Sequence, residues 1–260
     1  MEPVVCRRAR PLLGTLVDVE AEGPGAQAAV AAAFEEIAAV HALLSFHAPD
    51  SELQLINRAA PGARLHVDQR TVTVLRLAAA LYDASARAFD CRVGTPEQLA
   101  DTRFPVAFEG DMLIKQTGAS MDLGGIAKGY AVDRAIEVML AHAIERAVVN
   151  AGGDLRHCGV RPMTVQVRAP RNAAHVAKTM TLDNAALASS AAGGLGAHAG
   201  SASRIYDADR AHLPALAGAT VLAPTCMLAD ALTKIVLATG NVTHPLLTQY
   251  GATVAVYSPG

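Results

Sequence analysis

MDLGGIAKGYAVD, Met121 to Asp133, is the stretch on which the reading of this chain turns, and NAGGDL, Asn150 to Leu155, follows as its companion. Each sets a double glycine beside an acidic residue and against an apolar run. Gly124, Gly125 and Gly129 carry no side chain to block an approaching group, and glycine at a helix start costs stability that packing alone would not ask for. Lys128 stands one residue before the last of them. A cation at the opening of a helix is poorly placed for the macrodipole, which favours negative charge there. Lys128 is therefore expected to meet an anion such as a phosphate. The plainer reading is that double glycines make ordinary turns, that Asp122 caps the helix and that Lys128 is solvated. The stretch is neither a P-loop nor a dinucleotide fingerprint, since GxxxxGK(S/T) and GxGxxG are both absent from it.

The signature helix is expected over 125–142, with Val132, Ile136, Met139 and Leu140 on its buried face. Upstream, residues 3–20 read as a strand. Gly23, Pro24 and Gly25 then break the chain before a helix whose apolar face carries Val30, Phe34, Ile37, His41 and Leu44. His41 reads as a core histidine. Ser51, with Gln54 three residues on, suggests a capping box and a short helix. Val72, Leu75, Ala79 and Tyr82 mark a helix over 69–86 with Asp68 as its cap. FPVAF and MLIKQ form a hairpin across Glu109, Gly110 and Asp111. Downstream, RAVVN, MTVQVRAP, MTLDNAALASS and ATVLAP read as strands, and residues 191–203 as a mobile surface loop. A long helix over 225–239 ends at Gly240, and 252–258 gives a closing strand.

With 260 residues, 52% of them hydrophobic, the chain can bury a full core, and no linker divides it, so one domain over 1–260 is expected. A net charge of -2 with scattered basic residues gives no footprint for nucleic acid. Cys6, Cys91, Cys158 and Cys226 form no CxxC pair, so neither a zinc site nor a disulfide framework is indicated, and four buried thiols are expected. No apolar run near the N-terminus suits a signal peptide and none later approaches a membrane span, which points to the cytoplasm. Alanine-rich helices can pair between subunits, so a homodimer is one possible assembly.

DLGGIAKGYAVD followed by NAGGDLR resembles the signature pair of the ApbE family, the FAD:protein FMN transferases. PDSEL at Pro49 to Leu53 and ADAL at Ala229 to Leu232 extend the resemblance over almost the whole chain. It implies an α+β fold, ApbE-like and T-fold related, with mixed or antiparallel sheets flanked by helices. It also implies FAD as substrate, and magnesium-assisted attack by a threonine of an acceptor protein on the FMN phosphorus, releasing AMP. By the same resemblance Leu13, His47, Ala88, Phe89, Asp90, Asp122, Lys128 and Ile205 line FAD. The family's flavin-contacting tyrosine falls at His47, or at Phe46 if the register slips by one. The backbone oxygen of Gly125 and the carboxylate of Asp230 hold magnesium, and Asp230, Lys128 and Arg204 are the candidate catalytic groups. For Phe89 and Asp90 the plainer reading is a core residue and a turn residue.

The sequence departs from the family pattern in its last third. The threonine four residues after the metal-binding aspartate is Lys234 here, with Thr233 one step off that helical face. An ammonium has no lone pair for a hard cation. Either Lys234 pairs with Asp230 and stands where the metal stood, or Asp230 still binds magnesium and Lys234 swings to a phosphate. The family's histidine is Arg204, which cannot act as a general base at neutral pH, although Ile205 and Asp207 still align. ATSG reads ASSA at Ala188 to Ala191, and MGT reads LGT at Leu13 to Thr15. Three functions follow: a transferase using Lys234 and Arg204 as cations, a protein that binds FAD or another nucleotide and transfers nothing, or a metal-dependent FAD pyrophosphatase.

Overall fold

Between Thr15 and Glu22 the inward side chains of Val17, Val19 and Ala21 are buried and alternate with more exposed neighbours. Period two is what a half-buried strand needs. In this computed structural model, which describes residues 4–110, 112–169, 172–191 and 216–259, that strand is β2 (Thr15–Glu22), and it pairs antiparallel with β1 (Val5–Leu12). The single strand expected over 3–20 is thus a hairpin. Its turn is Leu13 and Gly14, with φ of +55° and +71°, positive values that suit the right-handed twist of a tight hairpin. A leucine there is strained by about 1–2 kcal/mol, so the turn is made against residue preference and was not legible.

Helix α1 (Ala26–Leu44) lays Val30, Phe34 and Ile37 against the inward face of β2, as its spacing predicts. By length and hydropathy alone α1 is long and apolar enough to cross a membrane, a test that a buried core helix also passes. Its apolar stripe is nevertheless packed within a protein core. Helix α2 (Glu52–Arg58) starts at Ser51, whose hydroxyl accepts from the Gln54 N–H at 3.1 Å. The Gln54 side chain turns away to the Phe46 carbonyl, so only half of the expected capping box forms. After β3 (Arg64–His66), α3 (Gln69–Ala84) is capped by Asp68, as expected. Next come β4 (Arg92–Val93), α4 (Pro96–Ala100), and the expected hairpin of β5 (Val106–Glu109) and β6 (Met112–Lys115). β7 (Ser120–Met121) pairs with β4 and leads into the signature. Elements this short carry no periodic signal, which is why β3, β4, β7 and α4 escape sequence reading.

The signature helix is α5 (Ala127–Met139); Val132, Ile136 and Met139 are buried, but Leu140 lies past its end and is 52% exposed. β8 (Arg146–Ala151) and β9 (Asp154–Gly159) form a hairpin about the NAGGDL turn. β10 (Met163–Ala169) pairs with β11 (Asn172–Leu182) in a separate ribbon, and β12 (Ala186–Ala191) follows. The one strand expected across MTLDNAALASS is therefore two, broken where Asn184 takes φ +48°. Beyond these lie β13 (Leu216–Ala223), α6 (Cys226–Thr239) ending at Gly240, α7 (Pro245–Gln249) and β14 (Thr253–Pro259). From residue 192 on, the loop expected over 191–203 lies outside the described residues, as do Arg204, Ile205 and Asp207.

Seven strands form the main sheet in the order β1-β2-β8-β9-β12-β13-β14, antiparallel throughout. α1 packs on β1 and β2, α5 on β8 and β9, and α6 on β12 and β13, with α5 between the other two helices. The expected α+β architecture is the one observed. Cys91 and Cys226 are buried, whereas Cys6 and Cys158 are half-buried, so four buried thiols become two.

His157 on β9 is fully buried, and among the described residues neither ring nitrogen has a well-formed hydrogen bond. Burial, helped by the charge of Arg146, holds its pKa below the ordinary histidine value. The unfolded chain takes up a proton near pH ~6.5 that the folded chain resists, so this site's stability is full above that value and is lost as pH falls below it. His157→Leu is expected to lose less Tm than the parent between about pH 7 and 5. Equal losses in thermal melts of the two proteins would count against this account.

Candidate functional site

Two close approaches of backbone build the site. A Cβ on Gly129 would lie 2.3 Å from the carbonyl oxygen of Cys226, so α5 and α6 meet closely only because this residue is glycine. A Cβ on Gly152, at φ +64°, would lie 2.5 Å from Thr15 Oγ1, so the NAGGDL turn packs on the Thr15 side chain, at the start of β2. Asp133, the last residue of the signature, locks the first contact. Its carboxylate accepts from the N–H groups of Cys226 and Met227 at 2.8 Å each, capping α6 from the neighbouring helix, and it also pairs with Arg156.

This packing gathers four charged groups. Lys128 forms an ion pair with Asp154 and lies 3.8 Å from Asp230 Oδ2. Asp230 Oδ2 also accepts from the Gly129 N–H at 3.2 Å, and Oδ1 accepts from Lys234 Nζ at 2.8 Å. Lys234 donates further to Ser190 Oγ at 2.6 Å and Thr233 Oγ1 at 3.1 Å. Thr233, expected one step off this face, is therefore part of the cluster. Asp154 and Asp230 are 1% and 0% exposed. Burial works to raise the Asp230 carboxyl, but Lys128 and Lys234 outweigh it and hold its pKa below the ordinary value. Asp154 is raised, by burial first and the Asp230 charge second, against the pull of Lys128. Burial works to lower Lys128, and the two carboxylates reverse that and raise it.

The N-terminal end of α5 opens on a cavity of about 610 Å³, lined among others by Leu13, His41, Phe46, His47, Asp122 and Lys128. A second cavity of about 430 Å³ lies across Thr15 and Gly152 from it, with Ser189 and Ser190 in its wall. Ser190 joins that wall to Lys234.

Four of the residues expected around FAD, namely Leu13, His47, Asp122 and Lys128, meet at the larger cavity, and Phe46 lines it as well as His47. Ala88 and Phe89 are instead core residues, 8% and 3% exposed, because the chain after α3 turns them into the main apolar cluster. Asp90 accepts from Arg92 at 3.0 Å. Gly125 lies against the stem of Lys234, where an added Cβ would be 3.2 Å from Cε. Asp122 accepts from the Gly124 N–H at 2.9 Å and so holds the turn before α5 rather than capping the helix, whose first residue has no side-chain cap. Lys128 meets an anion as expected, but that anion is the protein's own Asp154. His41 is half-buried at the cavity and not a core residue. Sequence reasoning assigned no role to Asp154, Thr15 or Ser190. The acidic residue directly after Gly153 was the available signal for Asp154.

The ApbE family model matches residues 13–257. A FAD:protein FMN transferase of Treponema pallidum (strain Nichols) is 27% identical over 187 residues, 59% of this chain and 52% of the relative. One of Klebsiella pneumoniae (strain 342) is 25% identical over 150 residues, 48% of each. The chain thus spans about half the length of the curated relatives it matches. The solved ApbE protein of Thermotoga maritima superposes with a TM-score of 0.81 at 23% identity, covering 96% of this chain and 93% of that one. The flavin transferase ApbE of Vibrio cholerae gives 0.72 at 20%, covering 91% and 87%. These two structural likenesses speak to the fold.

Proposed function

This chain belongs to the ApbE family, and on that premise we propose that it is a flavin transferase that takes FAD as substrate and passes FMN to a threonine hydroxyl of an acceptor protein. The observation that carries the reading is the cavity of about 610 Å³ at the N-terminal end of α5, edged by Lys128 and Asp122. Helix N-terminal N–H groups favour an anion, which suits the pyrophosphate of a dinucleotide. Phe46 and His47, whose ring centroids are 5.5 Å apart, give the same cavity an aromatic edge for a flavin ring. In the proposed reaction the threonine oxygen forms a bond to the FMN phosphorus. The bond from that phosphorus to the bridging oxygen breaks, and AMP leaves with that oxygen as the hydroxyl proton is released.

The magnesium that the resemblance implies does not fit the residues present. Both carboxylate oxygens of Asp230 accept from N–H donors, and the Lys234 side chain lies with its stem against Gly125 and its ammonium on Asp230. Among the described residues no group of three or more His, Cys, Asp or Glu side chains is placed to hold a metal. The residues in the reading therefore act without it: Lys128 and the α5 terminus hold the diphosphate, and fixed packing aligns the reactants.

The test is incubation of the protein with FAD and a peptide library carrying a central threonine, read by AMP release and by covalent flavin fluorescence on the peptides. AMP and labelled peptide are expected to form together. FAD bound but left unsplit would replace this reading with that of a nucleotide-binding protein. AMP without labelled peptide would point to a pyrophosphatase.

A further inference from the structure

We infer that the ammonium of Lys234 is a built-in cation in the place of a divalent metal, so that this protein holds its nucleotide without magnesium. Lys234 Nζ lies in a cage of oxygens: Asp230 Oδ1 at 2.8 Å, Ser190 Oγ at 2.6 Å, Thr233 Oγ1 at 3.1 Å and the Asp230 carbonyl at 3.4 Å. A carboxylate, two hydroxyls and a carbonyl are the hard ligands that a small divalent cation would take. The three short contacts use all three N–H donors of the ammonium, so it is fully satisfied where it stands and is not reaching for a phosphate.

Packing holds it there. The stem crosses Gly125, with Cε and Cγ 3.2 and 3.3 Å from where a Cβ would be, and a metal between Gly125 and Asp230 would have to displace it. Charge agrees. Lys128 and Lys234 balance Asp154 and Asp230 one for one, so the buried cluster is neutral as it stands. A dication would add two uncompensated charges to a site whose two acids are already paired. Among the described carboxylate oxygens of this cluster Asp154 Oδ1 lacks a partner, and one oxygen does not make a divalent site. The inference rests on the proposed function only for the identity of the nucleotide.

The experiment is a calorimetric titration of magnesium chloride, without nucleotide, into the parent and Lys234→Thr, with thermal melts of both in magnesium or EDTA and with or without FAD. The parent is expected to give no saturable heat and the same Tm in magnesium and EDTA. Lys234→Thr, which supplies an oxygen and removes the charge, is expected to bind magnesium at least about tenfold more tightly and to gain a magnesium-dependent Tm. Saturable magnesium binding by the parent that Asp230→Asn abolishes would overturn the inference. So would a Lys234→Thr protein that folds and ignores magnesium. Should that variant fail to fold, the parent titration decides alone. The FAD arms separate the two proposals: parental FAD binding equal in EDTA supports both, and FAD binding that EDTA removes overturns this one. Absence of FAD binding in either condition sinks the transferase reading and leaves the metal titration to decide.

Discussion

Gly129→Ala is expected to lower the Tm by about 10 °C or to leave the protein insoluble. Helix propensity alone argues for the opposite sign, since alanine is favoured over glycine in a helix interior by about 1 kcal/mol. The tertiary contact decides against it. The new methyl would meet the carbonyl oxygen of Cys226 at 2.3 Å, its carbon at 2.6 Å and the nitrogen of Met227 at 2.8 Å, all backbone atoms that cannot rotate away. The start of α6 would have to withdraw from α5. Withdrawal would break the bonds from the Cys226 and Met227 N–H groups to the Asp133 carboxylate and the one from the Gly129 N–H to Asp230. Overpacking costs about 1–3 kcal/mol where side chains can adjust. Here it comes on top of broken buried hydrogen bonds, at about 1–3 kcal/mol for each group left unpaired. At about 2–4 °C per kcal/mol for a chain of this size, a loss near 10 °C follows. Gly125→Ala is the control: its methyl meets only the flexible stem of Lys234, so its Tm should fall much less. Circular-dichroism melts settle the matter, and a Gly129→Ala protein as stable as the parent would refute the close approach.

Asp230→Ala is expected to destabilise the protein by about 3–5 kcal/mol and to abolish nucleotide binding. The carboxylate is wholly buried, yet it is the partner of Lys234, of the Gly129 N–H and, at 3.8 Å, of Lys128. Its removal leaves two ammonium groups to share Asp154, and the Lys234 side chain is only 14% exposed, so solvent does little to compensate. Asp230→Asn, which keeps the shape and one acceptor oxygen, should fall between the parent and Asp230→Ala. The folded-state pKa of Asp230 lies below its unfolded value. Its contribution is therefore present above about pH 4 and is lost as pH falls through the lower folded value. The Tm difference between parent and Asp230→Ala should accordingly narrow in acid below about pH 4, while between about pH 8 and 5 it also carries the change at Asp154, whose raised pKa owes part of its shift to the Asp230 charge. A difference that fails to narrow below about pH 4 would assign the effect to another group.

Local patterns carried far in this chain. The stripe of Val30, Phe34 and Ile37, the cap at Asp68 and the helix end at Gly240 all follow from interactions within a few residues, and each stands as read. Leu13 failed because its backbone is held left-handed by the hairpin against leucine's own preference. MTLDNAALASS failed because Asp183 to Ala185 break a run whose apolar spacing looks continuous on both sides. Phe89 gives the same lesson at the site, since an aromatic in a matching motif could face either ligand or core, and the fold turned it to the core.

The sequence by itself determined the family resemblance, which implies the α+β class, and most long elements, whose periodicity and caps are properties of neighbouring residues. It also raised the question at Lys234 without deciding it. Only the tertiary structure decided that Lys234 lies on Asp230, that Lys128 faces Asp154, and that Asp133 caps a helix ninety-odd residues further along the chain. Lys128–Asp154 and Asp133–Cys226 join residues distant in sequence, and Lys234, although only one helical turn from Asp230, is held there by Gly125 and Ser190 from other elements. They are set by how closely α5 can approach α6 at Gly129, and such an approach is a property of packing that no local pattern encodes.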